Sequence, residues 1–264
     1  MHAFTYHRPS SLNDAAALAA KGEAKLLAGG QSLVQAMKLR LASPSDIVDL
    51  GAIRDLAGIK SDGKAVTVGA MTRHAEVAHS ADVNKAIPAL AALAGLIGDR
   101  QVRAMGTIGG ALANNDPAAD YPAAVLGLGA TITTNKGKYE ADKFFKGLFE
   151  TALGKGEIIT SVSFPVPKRA AYMKFKHPAS RFAIVGVFVA DFGGSVRVAV
   201  TGAGPCVYRQ AEMEKALAAK FAPDSVAGIK QKQDGLNSDL HASAEYRAHL
   251  VTVMAKRAVE AALK

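Results

Sequence analysis

A chain of 264 residues exceeds what one small core usually needs, so two or three subdomains are expected. Hydrophobic residues at 49% and charged residues at 21% form an ordinary globular balance and exclude a disordered chain. The net charge of +9 comes without Trp and without interleaved aromatic platforms, which excludes a nucleic-acid binder and leaves an anionic cofactor, an acidic partner or solubility.

No apolar run reaches the roughly 18 residues of a membrane span, so none is expected. The start, Met1-His2-Ala3-Phe4-Thr5-Tyr6, lacks a basic region followed by an apolar stretch. A signal peptide is not expected, and a cytoplasmic location follows. A single cysteine, Cys206, excludes an intrachain disulfide and a four-cysteine iron–sulfur or zinc site built by this chain alone. Within Gly204-Pro205-Cys206 it reads as a small packed hydrophobe.

Residues 1–58 read as strand, helix, strand, helix, strand. Ser10 or Ser11 caps the first helix, Lys25-Leu26-Leu27-Ala28 is a short strand, and Ser32 caps a segment with Leu33, Val34, Met37 and Leu41 at helical spacing. Asp62-Gly63 predicts a hairpin turn before Ala65-Val66-Thr67-Val68. A helical stretch from Arg73 to Leu96, interrupted near Pro88, ends near Gly98. Pro122 to Leu128 is a short helix and Ala130 to Thr134 a strand. The stiff Pro165-Val166-Pro167 segment marks a boundary at about residue 167. Beyond it, Phe182 to Ala190 and Ser195 to Thr201 read as an antiparallel hairpin. The last helix carries Tyr246, Leu250, Val253, Met254 and Ala261 on one face, with Arg247, Lys256 and Arg257 elsewhere on the wheel. The fold class is therefore α+β, with no internal repeat.

Two glycine pairs carry the chemistry: Ala28-Gly29-Gly30-Gln31-Ser32 and Thr107-Ile108-Gly109-Gly110-Ala111. Each follows an apolar run expected to end as a strand. Adjacent glycines let backbone approach a ligand closely, and successive N–H groups in such a turn point into one concavity that holds phosphate oxygens. A following helix start adds further unpaired N–H groups. Ser32 and Thr107 add hydroxyl donors. Neither loop fits Gly-x-Gly-x-x-Gly, and no phosphate-binding Gly-x-x-x-x-Gly-Lys-Ser/Thr occurs. Asp120, in Asp116-Pro117-Ala118-Ala119-Asp120-Tyr121-Pro122, reads either as a helix cap or as a carboxylate for cofactor hydroxyls. His74 and His79 are five apart, about 140° around a helix, so they do not form a joint metal site. No Ser/His/Asp arrangement or pair of carboxylates assigns a catalytic residue. The chain is equipped to hold a redox cofactor and lacks its own acid–base machinery.

Leu26 to Leu33, Met105 to Asn114 and Asp116 to Asp120 together resemble the FAD-binding medium subunit of the molybdenum hydroxylases, which include aerobic carbon monoxide dehydrogenase and xanthine dehydrogenase relatives. The resemblance spans the whole chain. It implies a two-part FAD domain of the vanillyl-alcohol-oxidase type over 1–167, with subdomains of about 1–58 and 59–167, then a C-terminal domain with an antiparallel sheet and helices over 168–264. It also implies that Ala28, Gly29, Gly30, Gln31, Ser32 and Leu33, with Thr107, Ile108, Gly109, Gly110 and Ala111, wrap the FAD pyrophosphate and ribityl. Asp120 matches an aspartate at the ribityl region. Lys174, in Tyr172-Met173-Lys174-Phe175-Lys176, matches a lysine that reaches the flavin ring and stabilises negative charge on it. Read without the resemblance, Lys174 belongs to a solvated basic face within the basic concentration from Lys168 to Arg181. Phe182 matches an aromatic beside the flavin ring, or is a core strand residue. Ile159 matches an aliphatic flavin contact. Gln31 stands where the carbon monoxide dehydrogenase type often has His, which weighs against carbon monoxide as the substrate.

The partners implied are a small subunit with two [2Fe–2S] clusters and a large molybdenum subunit that binds the substrate, assembled as a dimer of heterotrimers. The external electron acceptor is NAD, a quinone or oxygen. A free-standing flavin oxidase or dehydrogenase, and a flavin-free binding or assembly protein, are the rival readings.

Overall fold

The computed structural model describes residues 1–264. Its first part alternates as the sequence predicts: β1 (Thr5–His7), α1 (Leu12–Ala19), β2 (Lys25–Leu27), α2 (Leu33–Lys38) and β3 (Asp46–Asp49). The three strands form a parallel sheet in the order β1-β3-β2. Ser11 caps α1, its hydroxyl accepting from the Asp14 N–H at 3.1 Å. Ala15, Val48, Leu50, Ile53, Leu56 and Ile158 pack as a small core of their own.

A hairpin of β4 (Ile59–Ser61) and β5 (Ala65–Gly69) follows. Its two central residues are Gly63 and Lys64, one position later than expected. The Asp62 N–H donates to the Ala65 carbonyl, and the Asp62 carboxylate accepts from the N–H groups of Lys64 and Ala65. Asp62 thus closes the turn from outside it, and Gly63 takes the left-handed φ of +82°.

The helical stretch is three helices, α3 (His74–His79), α4 (Ala81–Ala86) and α5 (Pro88–Gly95). Ser80 breaks it as well as Pro88, because the Ser80 hydroxyl caps α4 through the Val83 N–H. A helix that hydrophobic periodicity does not mark, α6 (Arg100–Met105), is capped by Asp99. Then come α7 (Ile108–Asn114) and α8 (Tyr121–Gly127). The strand β6 (Thr131–Thr134), β7 (Lys138–Glu140), the one-turn α9 (Ala141–Phe144), a small ribbon of β8 (Phe145–Gly147) and β9 (Glu150–Thr151), and β10 (Ile159–Pro165) complete this part. Its sheet is antiparallel in the order β4-β5-β10-β6-β7. Leu90, Leu93, Ile108, Leu112, Val125, Ile132, Val162 and Phe164 fill the core between sheet and helices.

The last part has the four-stranded antiparallel sheet β11 (Arg169–Lys176), β12 (Ala183–Asp191), β13 (Val196–Thr201) and β14 (Tyr208–Arg209), then α10 (Ala211–Ala219), α11 (Asp224–Ala227) and α12 (Ala244–Ala262). Every residue of β12 is buried. Phe188 and Ala190 join the core of the preceding part, while Val185, Val187 and Val189 pack with Leu250 and Met254 of α12. A strand covered on both faces reads as an unbroken apolar run for that reason. Arg247 departs from its expected place on the polar side of α12. It is buried, with Nη1 donating to the carbonyls of Ile184 (2.7 Å) and Gly202 (3.0 Å) and Nη2 to Asp239 (2.7 Å). Those carbonyls lie where strand pairing stops and need donors from elsewhere.

Candidate flavin site

The first glycine loop joins β2 to α2. Gly30 takes φ of +72°, a conformation that L side chains adopt only under strain. None of the backbone N–H groups of Ala28, Gly29, Gly30, Gln31, Ser32 and Leu33 has an acceptor within the chain. Ser32 stands at the start of α2 as expected, but its hydroxyl makes no capping bond and is left to act on something else. Six consecutive donors without acceptors in the chain are open to water or to an anionic ligand, because unmet N–H groups are costly unless one of these takes them.

The second glycine segment differs from the first, and from expectation. It follows helix α6, not a strand, and Ile108 to Ala111 is already the first turn of α7. Its N–H groups are engaged: Ile108 donates to the Thr72 carbonyl, Gly109 to that of Ala70, Gly110 to the Thr107 hydroxyl and Ala111 to the Thr107 carbonyl. Thr107 therefore serves as the helix cap, and its own N–H alone in this segment lacks a partner. The glycines here give close packing. A Cβ on Gly109 would lie 2.6 Å from the Ala70 Cβ.

The structure brings the two segments together. A Cβ on Gly29 would overlap the Met105 carbonyl oxygen, and one on Gly110 would meet the Ala28 Cβ at 3.5 Å. The second segment is thus the floor on which the first, with its open N–H groups, rests. Beneath that floor lies His74, whose Nε2 is where a Cβ on Gly106 would come to 2.5 Å. Burial holds the His74 imidazole neutral, with its pKa lowered to about 4.

At the far end of α7 the chain turns through Asn115, in the left-handed region at φ of 42°. The Asn115 amide binds the carbonyls of Gly147 and Glu150 at 2.8 Å each. The next segment leads to Asp120 at the head of α8. Asp120 makes no side-chain cap. Its carboxylate accepts instead from the Lys174 ammonium at 2.8 Å and from the Tyr172 hydroxyl at 2.5 Å. Lys174 also donates to the Leu96 carbonyl at 3.2 Å. The two charged side chains are only 2% and 4% exposed, so Lys174 belongs to no solvated face. Burial pushes the Asp120 carboxyl above the usual range, opposed by the Lys174 charge and the two hydrogen bonds. Burial, with the Asp120 charge beside it, holds the Tyr172 hydroxyl far above its ordinary range and so protonated.

Tyr172 was not among the residues expected at the site. It lies two positions before Lys174 on β11, and strand alternation sets both on one face; that period is the signal that could have found it. Thr201 was also missed. Fully buried at the end of β13, its hydroxyl lies 3.0 Å from the Pro117 carbonyl and 2.7 Å from that of Ala119. Nothing local in the sequence marks it.

The remaining expected residues sit apart from the loops. Ile159 opens β10 with its side chain in the main core; its neighbour Thr160 links to the glycine floor by accepting from the Ala70 N–H. Phe182 precedes β12 and is half exposed, which rules out the core-strand alternative. It borders a cleft of about 170 Å³ shared with Ala118, His177 and His241.

Residues 2–167 match the family described as the FAD binding domain in molybdopterin dehydrogenase, and residues 170–262 the CO dehydrogenase flavoprotein C-terminal domain. The chain belongs to this family. It is 37% identical to the carbon monoxide dehydrogenase medium chain of Afipia carboxidovorans, over 98% of this chain and 96% of that one. It is 35% identical to the nicotine 6-hydroxylase medium subunit of Paenarthrobacter nicotinovorans, over 97% and 96%. Among solved structures, reconstituted CO dehydrogenase from Oligotropha carboxidovorans superposes with a TM-score of 0.91 at 35% identity, covering 99% of this chain and 98% of that one. The α+β fold is therefore that of the FAD-binding medium subunits, and this FAD-binding chain is a flavoprotein subunit of an oxidoreductase complex.

Proposed function

We propose that this chain is the flavin relay of a molybdenum hydroxylase, with substrate oxidation carried out on a large molybdenum subunit. Electrons reach it from two [2Fe–2S] clusters of a small subunit and leave to NAD, a quinone or oxygen, within a dimer of heterotrimers. The medium-chain relatives support this division of labour. So does the single cysteine, since a chain with Cys206 alone cannot ligate such clusters and their ligands must come from a partner. The relatives' different names, one for carbon monoxide and one for nicotine, support a substrate chosen elsewhere in the complex.

The observation that carries the reading is the row of six acceptor-free N–H groups at 28–33, laid on the glycine floor at 107–111. The seat fits a diphosphate by its chemistry: donors only, close backbone access and no lysine required. Ala28 to Leu33 would hold the FAD phosphates, with Thr107 and Gly109 to Ala111 supporting them from below. Asp120 and Lys174 would face the flavin end, and Phe182 and Ile159 would bound it. FAD supplies the capacity to take up electron pairs. The residues of this chain bind it, orient it and set a positive charge near it. We place the division of the chain at about residue 167, which the ends of the two family matches support.

Absorbance of the purified protein at the flavin bands tests this. The expected result is bound or reconstitutable flavin; its absence from both sinks the reading. Mild purification is expected to bring iron- and molybdenum-containing partners with the chain. Isolation of a substrate-active monomer free of both metals would favour a free-standing flavin oxidase instead.

A further inference from the structure

Lys174 and Asp120 form a pair from opposite sides of the proposed domain division, and the pair is not self-sufficient. An ammonium has three N–H donors. Two are used, toward Asp120 Oδ2 and the Leu96 carbonyl, and the third has no acceptor in the chain. Asp120 Oδ1, on the carboxylate that already binds this ammonium, is an acceptor that could compete for that third donor. Tyr172 occupies that oxygen, at 2.5 Å.

The reach of Tyr172 to Asp120 is built into the sheet. Tyr172 pairs with Phe188 across β11 and β12, and Lys174 pairs with Gly186. The Tyr172 ring lies at 29° to that of Phe188, with centroids 6.2 Å apart, and its hydroxyl end runs diagonally over Gly186. A Cβ on Gly186 would overlap that hydroxyl and lie 2.8 Å from the Tyr172 Cζ. Glycine in the middle of a buried strand weakens it, and close approach of another group is a standard reason to find one there.

We propose that Tyr172, seated in the notch left by Gly186, is the positioning residue that keeps Asp120 from taking all of Lys174, so that the ammonium presents its remaining N–H to the flavin. The proposal rests on the flavin reading above. A tyrosine suits this task because it donates to the carboxylate while carrying no charge of its own. An arginine or second lysine would cancel the pair's polarity.

The test is the midpoint potential of the flavin in the assembled complex, with flavin content measured beside it. In Tyr172→Phe, Oδ1 loses its donor and turns to the free N–H of Lys174. The expected result is full flavin content with a potential shifted to more negative values, because negative charge on the flavin loses a donor. Gly186→Ala displaces the hydroxyl and is expected to shift the potential in the same direction. If it does not fold, Tyr172→Phe decides alone. Wild-type potential at wild-type flavin content in Tyr172→Phe overturns the proposal. So does loss of flavin together with a lowered melting temperature, which is the mark of a purely structural tyrosine. Failure of the flavin reading is distinct from both, since the wild-type complex itself would then carry no flavin.

Discussion

Asp120 and Lys174 illustrate how much a single buried pair can matter. Each neutralises the other with both side chains almost wholly buried, and removing one partner leaves the other charge uncompensated. Asp120→Ala is expected to destabilise the chain by about 3–5 kcal/mol in denaturant unfolding, the range for breaking a buried pair. A loss within about 0.5 kcal/mol, the range of ordinary surface substitutions, would mean that the pair is not formed. His74 makes a pH prediction. Its folded pKa is lowered from 6.5 to about 4 by burial, so the unfolded chain binds the proton first as pH falls. Stability is full above pH 6.5 and is lost progressively down to about pH 4, by roughly 3 kcal/mol at about 1.4 kcal/mol per unit. His74→Asn is expected to flatten that part of the curve, as read by unfolding free energies between pH 4 and 7. At this scale Asp120 could be read locally only as a helix cap or a carboxylate for a ligand, and Lys174 came through family likeness alone. Their pairing and the role of Tyr172 depend on β11 lying against the head of α8, a contact between distant parts of the chain that no local pattern encodes.

Both glycine pairs read from the sequence as ligand-approach points, and the same signature covers two different local structures. Gly29 and Gly30 open a loop whose N–H groups have no acceptors, whereas Gly109 and Gly110 sit in a helical turn whose donors are met by Ala70 and Thr107. The difference lies in the β5–α3 segment that runs beneath the second loop and supplies the Ala70 and Thr72 carbonyls, and it cannot be read from the glycines themselves. Helix α6 went unseen because none of its residues is buried, so it has no apolar stripe to detect. Loop contact yields a test with an internal control. Gly29→Ala places a methyl against the Met105 carbonyl, an overpacking of about 1–3 kcal/mol, and is expected to weaken FAD binding by roughly 10- to 100-fold in flavin titration. Gly137→Ala has no neighbour within 4 Å of the new methyl and is expected to bind FAD as the wild type does. Equal affinities for the two variants would contradict the docking of one loop on the other.

On the scale of the molecule, the proposed C-terminal domain packs against the proposed site. It contributes Tyr172 and Lys174 from β11 and clamps the Asp116–Asp120 segment through Thr201 and the Gly202 N–H, which donates to the Pro117 carbonyl at 2.7 Å. Thr201→Val keeps the shape and removes the hydroxyl, and is expected to cost about 1 kcal/mol in unfolding. The α+β class and the order of most elements were legible from apolar periodicity and turn residues, since each element presents one apolar face to a core. The way the parts lock together was not, because it runs through buried hydrogen bonds between backbone carbonyls and single side chains such as Thr201 and Arg247.

The claim on which the functional reading turns is that the 28–33 amides receive the FAD phosphates while the 108–111 amides do not. Amide hydrogen exchange on the full chain, in its complex, with flavin bound and with flavin removed, reads it directly. The 28–33 amides are expected to exchange rapidly without flavin and to become strongly protected with it, while Gly109 and Gly110 stay protected in both states. Bound flavin with the 28–33 amides still exchanging rapidly would contradict the account.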